Sequence, residues 1–441
     1  MTGLEPLYTA DEMKAAEAGH DVERMMERAG SAVAAAVARD YPGARVAAVC
    51  GKGANGGDGR IAAAKLGAEV VEVGAELPAA EVVIDAIFGT GFHGEPREDA
   101  ARSIDAIRSA GAPVVSVDIP SGVNASTGEV AGAVVQAATT VTFHGEKVGL
   151  AIAPGSLQTD HVEIADIGLE PSETAHARVT SAIAALIPRR ARGGNKYRSG
   201  SVLVVGGAPG MTGAVSLTAE AAFRADAGYV TVCTPRQSML VVEERLLEAV
   251  KRPIEQVWDA VERAGALALG PGLGRDDAAR KLVRRLLEET DLPTVVDADA
   301  LFALEPFERA APTVLTPHSG ELGRLLEEES SWIDAHRLDA VGRAVERFGC
   351  VVLLKGSDTI VAAPGARTLV TRGTSRLATA GTGDVLTGIV GAFLAKGMDA
   401  QLAAAAAARI HADAALAVPH ERGVVAGDVI AQLPFVLDAA L

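Results

Sequence analysis

The sequence predicts an α/β protein with two domains. The chain has 441 residues, well beyond the roughly 250–300 residues at which a single hydrophobic core stops growing. Hydrophobic residues make up 49% of the chain and aromatic residues only 3%, which suits small-residue helices packed closely on sheets. Short apolar runs alternate with helical stretches along the chain, and this alternation is typical of parallel sheets built from βαβ units.

The first half begins with helices and continues as alternating strands and helices. Thr9 and Glu12 have the spacing of a capping box, and the apolar residues that follow repeat at helical intervals as far as Ala38. Strands are predicted over residues 46–50, 82–88 and 114–117, with a helix over residues 60–67. Since the carboxyl ends of parallel strands meet at one edge, we expect the loops after these strands to converge.

The second half repeats the alternation without repeating the motifs. Residues 168–178 lack periodicity and resemble a connector, so we place the boundary near residue 175, with domains of residues 1–175 and 176–441. Strands are predicted over residues 202–205, 229–233, 267–269, 294–296, 314–315 and 351–354.

Charge and composition argue against several classes of protein. A net charge of −16 and a pI near 5.1 argue against nucleic-acid binding, which needs a basic surface. The sequence has no long apolar run, and its first residues show neither the basic flank nor the apolar segment expected of a signal peptide. The alanine-rich segment 401–415 is predicted to be a buried helix. We therefore expect a cytoplasmic protein without membrane contact. Neither a zinc site nor a disulfide framework is expected from three widely spaced cysteines, Cys50, Cys233 and Cys350.

Two glycine-rich segments, residues 51–59 and 380–384, each run into an apolar helical pattern. Glycine lets the backbone approach a phosphate, and the N–H groups and dipole at a helix start favour negative charge. The sequence therefore predicts two sites for phosphate-bearing ligands. In the first segment, Asn55 and Asp58 either serve only the turn or face a ligand or cation.

Two carboxylates stand at the ends of predicted strands in the first half, Asp85 and Asp118. An unpaired buried charge is costly, so each is expected to bind a metal, accept backbone hydrogen bonds or take a proton in catalysis. For Asp118, capping of the following loop is the alternative.

Residues 9–168 resemble the NAD(P)H-hydrate epimerase family, through segments 51–59, 85–91 and 117–122. The resemblance implies a Rossmann-like three-layer domain that interconverts the R and S epimers of hydrated NADH and NADPH, termed NADHX and NADPHX. It implies that Asp118 contacts the hydrated ring, that Lys147 assists proton transfer, and that K⁺ is bound by Asn55, Asp85 and Ser121. The coenzyme phosphates are expected on Ala54, Asn55, Gly56, Gly57 and Asp58, and on Gly89, Thr90, Gly91, Phe92, His93, Gly94 and Glu95.

Two positions in this half leave questions open. Ala54 stands where the family usually has asparagine, which removes a side-chain donor from the cradle. For Lys147, the alternative is an exposed lysine without a role.

In the second half, Asp384 falls in the first turn of a predicted helix. A carboxylate there can take a proton from an attacking hydroxyl while the helix N–H groups stabilise charge on a transferred phosphoryl group. Helix capping is the alternative. Residues 355–359 are expected to form either a nucleotide contact or a plain hairpin. His318 stands beside Glu321 at the carboxyl end of a predicted strand, a position that favours a functional role over a structural one.

Residues 178–441 resemble the ribokinase-like, ADP-dependent NAD(P)H-hydrate dehydratases, through segments 200–207, 212–214, 270–274 and 297–301. The resemblance implies a ribokinase-like α/β/α domain in which Asp384 activates the ring hydroxyl of the S hydrate. A phosphoryl group of ADP or ATP then transfers to that hydroxyl, and phosphate leaves to restore NADH or NADPH, with Mg²⁺ bridging the nucleotide phosphates. Hydrate contacts are expected from Gly213, Ala214, Gly272, Gly274 and His318, and nucleotide contacts from Lys355, Gly356, Ser357, Asp358, Thr359 and Gly383.

Several alternatives stay open for this half. Gly272 and Gly274 either form turns only or contact the hydrate, and Asp297 and Asp299 either brace the fold or bind metal. Ser319 stands where the family often has proline.

Two rival functions also remain, a small-molecule kinase and a non-catalytic nucleotide sensor. A kinase has no evident use for an epimerase-like first half, which argues against the kinase. The presence of both Asp118 and Asp384 argues against a sensor without catalytic activity. The resemblance favours ADP over ATP, and a homo-oligomer is expected.

Overall fold

The structure, a computed structural model, describes residues 2–190 and 199–439. It divides into two compact units. The N-terminal unit consists of Pro6–Ala177 and Asp334–Arg337, and the C-terminal unit consists of Met1–Glu5, Arg178–Ile333 and Leu338–Leu441.

The first part of the chain alternates strands and helices as predicted. Its strands are β1 (Leu4–Tyr8), β2 (Val46–Cys50), β3 (Glu69–Glu72), β4 (Val82–Ala86), β5 (Val114–Val117), β6 (Ala137–Phe143), β7 (Glu146–Lys147) and β8 (Thr159–Ala165). Its helices are α1 (Ala10–Glu17), α2 (Val22–Asp40), α3 (Ala54–Leu66), α4 (Glu98–Ser109) and α5 (Val148–Ala151), with a 3₁₀ turn at Gly155–Gln158.

The sheet of the N-terminal unit has the strand order β3-β2-β4-β5-β6-β8, and all neighbouring strands are parallel. Successive residues of β4 point to opposite faces. Ile84 belongs to one core cluster with Val33 and Ala62, whereas Val83 belongs to another with Ile104. The sheet is therefore covered on both faces, which confirms the predicted three-layer arrangement.

The order of this sheet also identifies where a ligand can bind. The chain runs outward from β2 to β3 and then returns to β4 on the other side of β2. Such a reversal opens a crevice at the carboxyl ends of the two strands. The first glycine-rich segment follows β2 and therefore lies at this crevice.

Helix α3 begins at Ala54, so the predicted start at residue 60 is wrong. Gly56 and Gly59 lie inside the helix, where close packing requires them. A Cβ on Gly56 would lie 1.9 Å from the Gly51 carbonyl oxygen, and one on Gly59 would lie 2.3 Å from the Ala86 Cβ. Glycine has low helix propensity, so the pattern favoured a loop, but the tertiary contact decides the conformation.

The helix predicted as far as Ala38 is two helices, α1 and α2. The chain leaves α1 at Ala18 in an extended conformation, and Asp21 caps α2 by accepting a hydrogen bond from the Arg24 N–H at 3.1 Å. A local aspartate cap therefore divides a segment whose apolar pattern is continuous.

From residue 176 onward the strands are β9 (His176–Val179), β10 (Ser201–Val205), β11 (Tyr229–Thr234), β12 (Val250–Pro253), β13 (Ala266–Leu269), β14 (Thr294–Val296), β15 (Thr313–Leu315), β16 (Val351–Leu354), β17 (Asp358–Ala362) and β18 (Thr368–Arg372). The helices are α6 (Thr212–Arg224), α7 (Met239–Arg245), α8 (Val257–Val261), α9 (Asp277–Glu289), α10 (Ser319–Leu326), α11 (Ser330–Ala335), α12 (Arg337–Phe348), α13 (Thr382–Ala395), α14 (Ala400–Leu416) and α15 (Ala426–Ala439). Short 3₁₀ turns occur at Ser181–Leu186, Arg236–Ser238, Ile254–Gln256, Ala298–Leu301 and Ser375–Leu377.

In the C-terminal unit the strand order is β12-β11-β10-β13-β14-β15-β16-β17-β18. Neighbours are parallel from β12 to β16, and β17 and β18 follow as antiparallel strands. Helices α6 and α13 pack on the central strands, and α14 packs on β15 to β18. The order reverses between β10 and β13, which creates a second ligand-binding crevice at their carboxyl ends.

The predicted strands of both halves are confirmed to within two residues at each end. The predictions missed strands with polar or threonine-rich sequences, such as β6, β8, β17 and β18, because these lack a plain apolar run. The predicted helix over residues 401–415 is α14 and is largely buried. None of the helices in the described residues combines the length and the hydropathy that a bilayer crossing requires.

Candidate active sites

Asp118 directly follows β5 at the carboxyl edge of the N-terminal sheet. Its φ is +66°, in the left-handed region, which few residues other than glycine, asparagine and aspartate adopt. Its carboxylate is nearly buried, with Lys147 Nζ 2.8 Å from Oδ1. The Thr142 hydroxyl donates to the same oxygen at 3.1 Å. The left-handed backbone therefore presents a carboxylate to a buried cation.

Lys147 is fully buried, so the alternative of an exposed lysine is wrong. Its strand, β7, pairs in parallel with β1, where Lys147 is the partner of Tyr8. Besides its contact with Asp118, Nζ donates to the Phe143 carbonyl at 2.8 Å and to the Thr142 hydroxyl at 3.0 Å. The Gly145 carbonyl oxygen is a further acceptor at 3.3 Å, so four oxygen atoms surround the ammonium group and hold it beside Asp118.

Asp58 adds a second buried carboxyl group to this edge. It lies in α3, and its Oδ1 has no hydrogen-bond partner among the described residues. Burial, followed by the charges of Asp118 and Glu17, raises the pKa of Asp58 to about 8. Burial and Asp118 also raise the pKa of Glu17, at the end of α1, although Lys147 opposes this. Three carboxyl groups and one ammonium therefore interact at this edge.

Asp85 is fully buried in β4 and accepts four hydrogen bonds. Its Oδ1 accepts from the Ser121 hydroxyl at 2.6 Å and the Ile87 N–H at 3.3 Å. Its Oδ2 accepts from the Ser116 hydroxyl at 2.8 Å and the Ser121 N–H at 2.9 Å. Burial raises the pKa of Asp85, while these hydrogen bonds lower it. No basic side chain in the described part of the chain pairs with this carboxylate.

Two of the three predicted potassium ligands, Asn55 and Ser121, contact the backbone of Phe88, and the third, Asp85, accepts hydrogen bonds from Ser121. Asn55 Nδ2 donates to the Phe88 carbonyl at 2.8 Å, and the Ser121 hydroxyl accepts from the Phe88 N–H at 2.9 Å. A Cβ on Gly89 would lie 3.2 Å from Asn55 Oδ1. The structure therefore brings Asn55, Ser121 and Asp85 together beside Gly89.

The predicted phosphate contacts lie in two neighbouring segments. Ala54 is exposed at the first position of α3, and Gly53 caps this helix without a side-chain hydrogen bond, so the first N–H groups of α3 are available for an anion. In the loop after β4, Gly91, His93, Gly94 and Glu95 are exposed, and Gly89, Thr90 and Phe92 are half-buried.

In the C-terminal unit, Asp384 lies in the first turn of α13. The residue before this helix, Gly381, has φ +89°, and a Cβ there would lie 2.6 Å from Leu217 Cδ1. Burial and the charge of Asp297 raise the pKa of Asp384 to about 7, although Lys355 opposes this. A carboxyl group with this pKa can accept a proton near neutral pH.

Lys355 and two acidic residues come together near Asp384 from the segments that follow strands β14, β15 and β16. Lys355 follows β16, Asp297 follows β14, and Glu321 lies in α10 after β15. Lys355 Nζ is 2.8 Å from Asp297 Oδ1 and 3.7 Å from Glu321 Oε2. Burial by itself lowers the pKa of Lys355, but Asp297 and Glu321 raise it above its ordinary value.

His318 caps helix α10. Its Nδ1 accepts a hydrogen bond from the Gly320 N–H at 3.0 Å, and Glu321 Oε2 accepts from the His318 N–H at 2.9 Å. The neutral ring therefore carries its proton on Nε2, and the side chain is 55% exposed. Ser319, at the first position of α10, leaves this capping box intact.

Gly213 and Ala214 lie in the first turn of α6, beside the loop that follows β13. In that loop Gly272 and Gly274 have φ of +58° and +89°. A Cβ on Gly272 would lie 2.6 Å from the Met211 carbonyl oxygen and 3.3 Å from the Ala214 Cβ. Glycine is therefore required for the turn, while contact with the hydrate stays a prediction.

The carboxylate of Asp299 supports the same loop. It accepts from the Gly274 N–H at 3.0 Å and pairs with Arg275 Nε at 2.7 Å. Both oxygens of Asp299 are therefore bonded to protein donors.

The segment 355–359 forms a hairpin, which is the second of the two conformations and roles considered for it from the sequence. Strands β16 and β17 are antiparallel, with Leu354 opposite Ile360, so Asp358 and Thr359 begin β17 while Gly356 and Ser357 form the turn. A role for these residues in nucleotide binding stays a prediction.

The sequence motifs did not identify three residues that interact with the predicted ones. Thr142 forms a hydrogen bond with Asp118, Glu17 interacts electrostatically with Asp118 and Asp58, and Thr387 forms a hydrogen bond with Asp297. Thr142 lies in a strand that the sequence did not predict, and Glu17 is in no motif. Thr387 lies one turn after Gly383 in α13. The spacing from Gly383 is a signal that could have identified Thr387.

Comparisons with known proteins match both halves of the chain. The family model for NAD(P)H-hydrate dehydratase matches residues 202–434, and the model for the YjeF-related protein N-terminus matches residues 22–77 and 69–149. The bifunctional NAD(P)H-hydrate repair enzyme of Moorella thermoacetica is 36% identical over 415 residues, covering 78% of this chain and 78% of the relative. The chain belongs to the bifunctional NAD(P)H-hydrate repair enzyme family.

Other members and solved structures agree with this assignment. The repair enzyme of Escherichia coli is 34% identical over 402 residues, covering 81% of this chain and 78% of the relative. The ADP/ATP-dependent NAD(P)H-hydrate dehydratase of Bacillus subtilis, co-crystallised with ATP and Mg²⁺, is 27% identical with a TM-score of 0.55. That likeness covers 59% of this chain and 96% of the B. subtilis chain. A ribokinase-like superfamily protein of Enterococcus faecalis is 25% identical with a TM-score of 0.54, covering 62% of this chain and 98% of that chain. The C-terminal unit thus has the ribokinase-like fold.

Proposed function

We propose that this repair enzyme acts on NADHX and NADPHX at one site in each unit. The N-terminal unit interconverts the R and S epimers, and the C-terminal unit dehydrates the S epimer with ADP or ATP as phosphoryl donor. Hydration yields both epimers, so a dehydratase that accepts one of them needs the other to be converted. The fusion of two such units in one chain fits this requirement.

One observation carries the proposal for the C-terminal unit: Asp384 has a pKa of about 7 in the first turn of α13. The N–H groups of the same turn are suited to bind a phosphoryl group. A base and an anion site in one helix turn are the two features that transfer of a phosphoryl group to a hydroxyl requires.

The proposed dehydration proceeds in two steps. Asp384 takes the proton of the ring hydroxyl, the hydroxyl oxygen bonds to the terminal phosphorus of the nucleotide, and the shortened nucleotide leaves. The carbon–oxygen bond of the phosphate ester then breaks. Phosphate departs with the bonding electrons, the neighbouring ring carbon loses a proton, and the ring double bond of NADH or NADPH returns.

In the N-terminal unit, Asp118 is proposed to move a proton at the hydrated ring. Lys147 holds a fixed positive charge 2.8 Å from Asp118 Oδ1, and the buried ammonium orients the carboxylate towards the crevice. The coenzyme phosphates would bind the N-terminus of α3 and the loop after β4.

The residues around Phe88 fit a potassium ion. Asn55, Asp85 and Ser121 supply only oxygen atoms to it, and Asp85 is a buried carboxylate without a basic partner in the described residues. A cation there would balance that charge. A bound K⁺ would supply positive charge beside the coenzyme phosphates.

The nucleotide is proposed to bind Gly383 and the hairpin Lys355, Gly356, Ser357, Asp358 and Thr359. In residues 2–190 and 199–439, no cluster of three or more acidic, histidine or cysteine side chains could hold a metal ion. Mg²⁺ would be held together with the nucleotide and would supply positive charge to its phosphates. ADP is favoured over ATP by the resemblance to the ADP-dependent dehydratases.

The test uses the full chain with a mixture of NADH hydrate epimers, Mg²⁺ and either ADP or ATP. Recovery of the reduced-nicotinamide absorbance is followed to completion. Full recovery supports both activities, and recovery of only the S fraction supports the dehydratase alone. No recovery with either nucleotide would contradict the proposal and favour the small-molecule kinase or the nucleotide sensor.

A further inference from the structure

Asp297 is the most enclosed acidic residue near Asp384, and the proposed chemistry assigns it no step. Its side chain is 2% exposed. Its Oδ1 lies 2.8 Å from Lys355 Nζ, and its Oδ2 accepts a hydrogen bond from the Thr387 hydroxyl at 2.6 Å. Both oxygens are thus bonded to protein donors.

The Thr387 contact connects Asp297 to the helix that carries Asp384. Thr387 lies in α13, and its hydroxyl is also 3.1 Å from the Gly383 carbonyl oxygen. A hydroxyl has one proton to donate, and the contact with Asp297 is the shorter of the two. The bond therefore attaches the first turns of α13 to the end of β14.

The Lys355 contact places an ammonium group beside that same turn. A Cβ on Gly383 would lie 3.6 Å from Lys355 Nζ and 4.0 Å from Asp297 Oδ2. The space next to the Gly383 backbone is thus bordered by the ammonium and by the carboxylate that holds it. A phosphoryl group bound at the N-terminus of α13 would meet this ammonium.

We infer that Asp297 is a positioning residue for phosphoryl transfer: it binds Lys355 through one oxygen and α13 through the other, and so prevents Lys355 from pairing with Asp384. This inference rests on the proposed function of Asp384 as the base. It decides between the two roles that the sequence left open for Asp297, in favour of the structural one.

The electrostatics of the site agree with this arrangement. The charged groups that act on Asp384 are Asp297, Lys355, Asp299 and Glu321. After burial, Asp297 is the main cause that raises the pKa of Asp384, and Lys355 acts in the opposite direction. Neutralising Asp297 would remove the negative charge that raises the pKa of Asp384. It would also release Lys355, whose positive charge lowers that pKa, so the pKa of Asp384 would fall.

The experiment measures dehydration of the S hydrate against pH in the full chain, with ADP and Mg²⁺. In the wild type, kcat/KM is expected to rise with pH as Asp384, whose pKa is about 7, loses its proton. Asp297→Asn is expected to move this rise to lower pH by about one unit and to lower kcat about 10- to 100-fold at pH 8. The rate of epimer exchange by the same variant, measured without nucleotide, is expected to equal that of the wild type. This control shows that the protein is folded.

A pair of variants at Thr387 tests the attachment of the helix separately. Thr387→Val removes the hydroxyl while keeping the shape, and is expected to lower kcat about 3- to 10-fold without moving the pH profile. Thr387→Ser is expected to restore the rate to within about twofold. These two variants decide the case if Asp297→Asn does not fold.

Two results would overturn the inference. One is an Asp297→Asn enzyme whose pH profile matches the wild type, and the other is a Thr387→Ser enzyme as slow as Thr387→Val. Asp384→Asn separates this inference from the proposed function. If that variant still dehydrates the hydrate at the wild-type rate, the role of Asp384 itself is wrong; if it is inactive while Asp297→Asn behaves as wild type, only the inference fails.

Discussion

The two units of the protein use the same residue types in opposite arrangements. In the N-terminal unit the buried lysine, Lys147, lies 2.8 Å from the proposed catalytic aspartate, Asp118. In the C-terminal unit the corresponding lysine, Lys355, lies 2.8 Å from Asp297 instead. Within residues 2–190 and 199–439, no basic side chain forms an ion pair with Asp384, and burial with the charge of Asp297 raises its pKa to about 7.

This difference shows how the partner of one lysine can determine the role of an aspartate. A buried ammonium beside a carboxylate fixes the position of that carboxylate and supplies positive charge next to it. A carboxyl group that is buried while its lysine is bound elsewhere can gain and lose a proton near neutral pH. The first arrangement suits epimer exchange at a cation-supported site, and the second suits removal of a proton from a hydroxyl.

The largest expected effects come from exchanging each aspartate for asparagine. Asp384→Asn should lower dehydration by about 10²- to 10⁴-fold and leave epimer exchange unchanged, because only the C-terminal base is lost. Asp118→Asn should show the reverse. Each variant serves as the control for the other, with epimers separated chromatographically and dehydration followed by absorbance. Loss of both activities in either variant would contradict the division of labour.

The next effect tests the ion pair of the N-terminal unit. Lys147→Met leaves Asp118 buried without a cation and should lower the free energy of unfolding by about 3–5 kcal/mol, since a buried charge without a partner is strongly unfavourable. The double variant Asp118→Asn with Lys147→Met removes both charges and should recover part of this loss. Denaturant unfolding of the wild type, Lys147→Met, Asp118→Asn and the double variant measures the coupling energy of the pair. Equal stabilities for the single and double variants would show that the pair is unimportant for folding.

Asp58 predicts a pH dependence of stability. Its pKa in the folded protein is about 8, above the value near 4 of an unfolded chain. Between these two values the folded state binds the extra proton, so stability falls as pH rises, by up to about 1.4 kcal/mol per pH unit. Asp58→Asn removes this titrating group. The free energy of unfolding of the variant should therefore increase relative to that of the wild type as the pH rises from 5 to 8. Parallel stability curves over that range would show that Asp58 is not protonated in the folded protein.

The smallest expected effect compares two glycines in α3. A Cβ on Gly56 would lie 1.9 Å from the backbone oxygen of Gly51, whereas one on Gly57 would meet only the mobile end of Met26 at 2.2 Å. Gly56→Ala should therefore destabilise the protein by about 1–3 kcal/mol, and Gly57→Ala by clearly less. Thermal unfolding measures both. A larger loss of stability for Gly57→Ala than for Gly56→Ala would contradict the close packing of α3 against the backbone of Gly51.

Sequence alone determined the two α/β halves, nearly all central strands of both sheets, and the positions of Asp118 and Asp384 at strand or helix ends. These features are local, since an apolar run or a glycine-rich segment before a helix carries its signal in consecutive residues. Tertiary structure decided which lysine pairs with which aspartate, the start of α3 at Ala54, and the buried state of Lys147. The physical reason is that these depend on strand order and burial: Lys355 and Asp297 follow different strands, and only the assembled sheet edge brings their charges within 2.8 Å.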